Sequence, residues 1–106
     1  MDIKDLLFTL SNCDAVGNIT DASDKAYEIL SKYAKTERMD NLTVIGFLKG
    51  KADYTIMLDA HIDQIGFVVT YITEDGFLKI SNCGGIDRRL LLAQQVVVMG
   101  RKNIDG

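Results

Sequence analysis

Apolar positions along the chain follow a helical spacing at first and then give way to runs of branched and aromatic residues. Ile3, Leu6, Leu7 and Leu10 recur at i, i+3, i+4 and i+7, the stripe that one buried helix face requires. Residues 2–11 are therefore predicted to form a short amphipathic helix. "NCDAVGNIT" supplies the Asn, Asp and Gly of a loop, and Thr20 or Ser23 follows where a hydroxyl can accept a bond from an orphan N–H. Ala26, Ile29, Leu30 and Tyr33 give a second helix its apolar face, over about 22–35. Beyond the polar "TERMDN", the branched and aromatic segments "LTVIGFL" and "YTIMLDA" flank the turn-like "KGKAD" and predict a hairpin. "IGFVVTYIT" and "FLKIS" repeat that arrangement around "EDG", where Gly76 can take the positive φ of a tight turn. "NCGGID" is a loop, "RRLLLAQ" a turn of helix, and "QVVVMGR" a strand leading into "KNIDG". That turn signal expects a returning strand which the sequence does not offer, so the last element is predicted to lack its partner.

Composition narrows the class without naming a function. A chain of 106 residues is one domain by size and buries roughly 60–65% of its unfolded surface around a single modest core. Hydrophobic residues make up 47% and charged residues 25%, which excludes wholesale disorder. The formal charge of -3 carries no block of one sign, and the densest positive clusters are Arg88-Arg89 and Arg101-Lys102. No nucleic-acid partner is expected. The start "MDIKDLLFTL" has no uninterrupted apolar region or cleavage site, and no run approaches the ~18 apolar residues of a membrane span. The expected setting is the cytoplasm, with no membrane association. Cys13 and Cys83 belong to no CxxC pattern and are expected as free thiols.

The one stretch with chemical promise is "TIMLDAHIDQIGFVVT", which holds His61, the only histidine, and Asp63 two positions on. At the C-terminal end of a strand the imidazole would reach the crevice where open sheets collect ligands. A ligating histidine usually donates its other ring N–H to a carboxylate, and Asp63 stands close enough to be that group. The same triplet also describes a histidine that satisfies its hydrogen bonds near a strand end, or one that meets its copy across a two-fold interface. "NCGGID" lacks the GK[ST] ending of a phosphate loop, and Cys83 has no second histidine to activate it.

"LDAHIDQIGFVV", "EDGFLKI", "CGGIDRRLL" and "AQQVVVMGR" follow one another over about 55–102. In that order they resemble the amino-terminal part of the glutamyl and deblocking aminopeptidases. These are two-metal metallopeptidases, some of which carry cellulase or endoglucanase names. "DIKDLLFTLSNCDAVG" resembles the family's leading helix more loosely. The resemblance implies an α/β catalytic domain, α+β within this stretch. Residues 1–66 would bring two helices and a β-hairpin, and 67–106 would begin a β-barrel-like inserted domain that mediates homo-oligomer assembly. It implies that His61 ligates one of two divalent ions, zinc or cobalt, while Asp63 orients the imidazole. Gln64 stands where many members have Glu. In the family, peptide substrates are cleaved by metal-activated water, with the bridging Asp, the second His and the general-base Glu lying later in a longer chain. A two-ion site needs several donors per pair, so this chain alone is expected to be an inactive truncated portion. A second reading is a non-catalytic β-rich assembly module that keeps the fold elements without the active site.

Overall fold

Helical spacing becomes helix where expected: the computed structural model, which describes residues 2–106, has α1 at Ile3–Ser11 and α2 at Asp21–Leu30. The capping differs in detail. Thr20 occupies the N-cap position of α2, but its hydroxyl donates to Asp24 Oδ2 at 2.8 Å instead of accepting a backbone N–H. Asp21 Oδ2 reaches back to accept the Asp14 N–H at 3.0 Å, and with Asp24 it places negative charge at the positive end of the helix dipole. Ser23 lies inside the helix, buried, and donates to the Leu42 carbonyl at 2.7 Å. α2 stops at Leu30, short of the expected 35, because residues 31–34 turn and Lys35 begins a strand.

That strand overturns the first predicted hairpin. β1, Lys35–Arg38, pairs antiparallel with β2, Val44–Phe47, with Thr36 opposite Gly46 and Arg38 opposite Val44. The polar "TERMDN" thus provides a strand and a turn, and residues 54–60 are not the partner of β2. Local polar chemistry decides the pairing: Met39 N–H donates to the Thr43 carbonyl, Leu42 N–H to that of Met39, and Asn41 Oδ1 accepts the Thr43 N–H. Leu42 takes a φ of 68°, with its carbonyl held by Ser23. α2 lies so near β2 that a Cβ on Gly46 would fall 2.7 Å from Leu30 Cδ2 and 2.9 Å from its Cγ.

The second hairpin forms as expected. β3, Gly66–Ile72, pairs with β4, Leu78–Cys83, across a turn in which Gly76 has a φ of 86°. The register shifts between Val69 and Tyr71, where the Thr70 hydroxyl donates to the Lys79 carbonyl at 3.1 Å. A single 3-10 turn, Arg88–Leu90, follows Asp87, whose Oδ1 accepts the Arg89 N–H. The last element does have a partner, contrary to expectation: β5, Val97–Val98, pairs with β6, Ile104–Asp105, and Val96 and Gly106 exchange backbone bonds of 2.8 and 2.9 Å. The residues that read as a turn signal are themselves the returning strand.

The result is mixed α/β with three separate two-stranded antiparallel sheets. The buried residues are Cys13, Ala15, Ala22 and Ser23, all within 13–23. The chain measures 62 × 26 × 26 Å with a radius of gyration of 17.8 Å, against about 13 Å for a compact domain of this length. Its accessible surface of 9497 Å² exceeds the roughly 5,900 Å² of a folded monomer of its mass. The expected modest core is therefore far smaller than length alone predicts. Among the described residues no helix is long and apolar enough to cross a membrane.

Candidate metal centre

The segment that carries His61 has no regular secondary structure along most of its length. Residues 55–63 have no ladder partner among the described residues, so the predicted strand at 54–60 is not part of a sheet. It is anchored at one point: Gln64 N–H donates to the Ala15 carbonyl at 2.9 Å in an isolated parallel bridge with Val16, and Gln64 Nε2 reaches the Ser11 carbonyl at 3.4 Å. His61 stands three residues ahead of this anchor. The apolar side chains before it are in water, with Met57 84% and Leu58 93% exposed.

An open groove of about 640 Å³ separates this segment from the helical layer, with Leu10, Ile19, Ala26, Leu30, Val44 and Leu58 along it. His61 and Asp63 also line it. Nδ1 of His61 lies 3.2 Å from Asp63 Oδ1 and 3.2 Å from the Asp63 carbonyl. The backbone carbonyl is the hydrogen-bond partner, and a proton on Nδ1 to serve it leaves the Nε2 lone pair free to bind a cation. The Asp63 carboxylate stands at ion-pair distance from the ring, while the hydrogen bond goes to the Asp63 backbone carbonyl. The imidazole is 86% and the carboxylate 76% exposed, so water competes for every one of these bonds.

The donor set stops there. Among the described residues no three His, Cys, Asp or Glu side chains gather where they could hold a metal ion. One imidazole and one neighbouring carboxylate do not fit a two-ion centre, whose ions ~3.5–4 Å apart need donors from several directions. No catalytic step through a metal follows from these residues alone.

The remaining perturbed groups belong to the scaffold. Burial raises the Cys13 pKa, followed by the charge of Asp21, and the thiol donates to the Thr9 carbonyl at 3.2 Å. A buried, protonated thiol is inert. Asp24 is held below the usual carboxylate range by the Thr20 hydroxyl and then by Arg38, whose guanidinium bonds Asp24 and lies 5.9 Å from the Tyr27 ring centroid. Asp87 is lowered by Arg89, which it binds at 2.7 Å. Of the Arg88-Arg89 pair, Arg89 is therefore tied to its own loop. Both cysteines are free, as expected. The sequence reading missed Gln64 as the anchor, since a polar residue two positions before a strand carries no signal of a bridge to residue 16.

One family model and three relatives bear on this arrangement. The family model for M42 glutamyl aminopeptidase matches residues 43–106. A protein of Acetivibrio thermocellus that bears an aminopeptidase name is 35% identical over 97 residues, covering 90% of this chain and 29% of that protein. The lysyl aminopeptidase of Pyrococcus furiosus is 36% identical over 74 residues, covering 69% of this chain and 21% of that protein. The aminopeptidase-named FrvX of Escherichia coli is 28% identical over 101 residues, or 94% of this chain and 28% of its own. The chain spans less than a third of the length of the curated relatives it matches.

Proposed function

Because the chain belongs to the M42 glutamyl aminopeptidase family, we propose that it forms the amino-terminal part of a two-metal aminopeptidase and is inactive by itself. Such an enzyme removes residues from the amino terminus of peptide substrates. Within it, His61 gives one ion its Nε2 lone pair, and Asp63 holds the Nδ1 proton so that the ring faces the groove. The ions, zinc or cobalt, supply Lewis acidity and an activated water when bound. Everything this chain itself contributes is the placing of that one imidazole.

The observation that carries this reading is the segment at 54–63, unpaired, with Ile56, Met57 and Leu58 exposed, and ending in His61 beside the Asp63 carboxylate. Runs of this kind belong inside a parallel sheet covered on both sides. The incomplete donor set supports the same assignment. Residues 1–66 are then the catalytic portion, and 67–106 begin a barrel-like insert whose ribbons β3–β4 and β5–β6 have open edges for oligomer assembly. Peptide hydrolysis suits a histidine with a neighbouring carboxylate better than glycoside cleavage, which takes two carboxylates set across a sugar.

Calorimetric titration with zinc and with cobalt, beside His61→Ala, tests the proposal together with a peptidase assay. The expected result is no binding beyond the control and no hydrolysis. Tight, stoichiometric, His61-dependent binding by the chain alone would overturn the incomplete-site reading. The open sheet edges favour one alternative, a non-catalytic assembly module. A reading frame that continues into further acids and a second histidine excludes that module, whereas discrete self-assembly without any such continuation supports it.

A further inference from the structure

Where the β3–β4 ribbon meets the helical layer, glycines let three stretches of chain close on one another. A Cβ on Gly66, the first residue of β3, would fall 2.6 and 2.8 Å from the two methyl carbons of Val16. Across the ladder Gly66 is paired with Cys83, and Gly17 faces that residue from the loop, with Cys83 Sγ 3.8 Å from the place of its Cβ. Gly84, at a φ of 82°, lies so near Ile65 that a Cβ would stand 2.9 Å from its Cγ2. Approaches this close need glycine. The base of the ribbon is therefore seated on the loop at 15–17 through both of its strands, and the bridge between Val16 and Gln64 belongs to the same joint.

The joint reaches His61 through a single peptide group. The carbonyl of Asp63 and the N–H of Gln64 are parts of one planar unit, and no peptide bond here is cis. Its N–H donates to the Ala15 carbonyl at 2.9 Å, and its oxygen lies 3.2 Å from His61 Nδ1. The two groups point to opposite sides of the plane, so a plane turned to meet Ala15 also turns the carbonyl toward the ring. Ala15 is buried, which keeps the far end of this relay in place.

We infer that the Asp63–Gln64 peptide group is the positioning element of His61: the seating of the ribbon on residues 15–17 sets its plane, and its carbonyl holds the proton on Nδ1. Ribbon packing and imidazole tautomer are thereby set together, and the free nitrogen is Nε2. This goes beyond the function proposed above and stands whether or not the ring meets an ion.

The test uses the ring nitrogen resonances of the only histidine in the chain, recorded in mildly alkaline solution, together with amide hydrogen exchange. Wild type is compared with Gly66→Ala, Gly84→Ala, Asp63→Asn and the double variant Gly66→Ala, Val16→Ala. In wild type the proton should sit mainly on Nδ1. Gly66→Ala should speed exchange at the Gln64 amide about fivefold or more, the scale of one backbone hydrogen bond, and return the ring to the tautomer mixture of free histidine. Removing the Val16 methyls in the double variant should restore both, which a general loss of stability does not do. Gly84→Ala strains the joint from the β4 side, away from the buried residues at 13–23, and should move both readouts the same way even if Gly66→Ala unfolds. Asp63→Asn should leave the tautomer unchanged, because the bond goes to the backbone. A wild-type ring with the tautomer mixture of free histidine, a faster Gln64 amide beside an unaltered ring, or a tautomer lost in Asp63→Asn overturns the inference.

Discussion

Residues 13–23 and residues 54–63 are both short, and both contain apolar side chains next to polar ones. The first stretch holds every buried residue of the described chain, with Ala22 only 2% exposed and the Ser23 hydroxyl bonded to Leu42. The second holds the apolar run Ile56-Met57-Leu58 and buries none of it. Burial here follows from which elements lie close in sequence. α1, α2 and the β1–β2 hairpin are neighbours along the chain and can close on one another. The segment at 54–63 has no such neighbour in sequence to close on it. Hydrophobicity fixes how strongly a segment gains from being covered, whereas topology fixes what is available to cover it.

The contrast breaks most readily at its buried end. Ala22→Asp places a charge where no partner exists, and a loss of at least about 3 kcal/mol is expected, enough to abolish the helical signal of this small region in chemical denaturation. Ser23→Ala removes one donor and leaves the Leu42 carbonyl unsatisfied beside a backbone already at positive φ. A loss of about 1–2 kcal/mol is expected, with faster amide exchange at Leu42 and Thr43. Acid gives a smaller effect of known sign. The Asp24 carboxyl is depressed in the fold by Thr20 and Arg38, so its contribution is complete above the ordinary carboxylate value and lost as pH falls through the depressed one. Thermal scans across that window should show stability falling with acidification, and Asp24→Asn should flatten the decline. At the other end of the comparison, Leu58→Asp in the free chain should change stability by less than about 0.5 kcal/mol. A loss comparable to Ala22→Asp would mean that the segment packs in solution and that the contrast is false.

How much of this was legible in the sequence depends on how local the deciding interaction is. α1 and the β3–β4 hairpin were readable because four apolar residues at helical spacing and one glycine in a turn settle them within a few positions. The β1–β2 pairing was not, since Lys35–Arg38 has a polar face and no apolar alternation, and the Ser23 bond that steadies its turn comes from 19 residues away. Two-residue strands such as β5 and β6 carry too little pattern to be distinguished from a turn. His61 and Asp63 were legible as a pair because two residues of extended chain bring them together. Gln64 was not legible as an anchor, because its partners lie at residues 11 and 15.

The unpaired segment also bears on how copies of the chain meet one another. "YTIML" is branched and aromatic, uncharged and free of proline, the composition from which cross-β stacking starts. It is bounded by Lys49, Lys51 and Asp53 on one side and by Asp59 and Asp63 on the other. Stacking copies in register would align like charges on both flanks, repelling at each layer, as gatekeeper residues do. Asp59 and Asp63 therefore serve to keep copies of this chain apart.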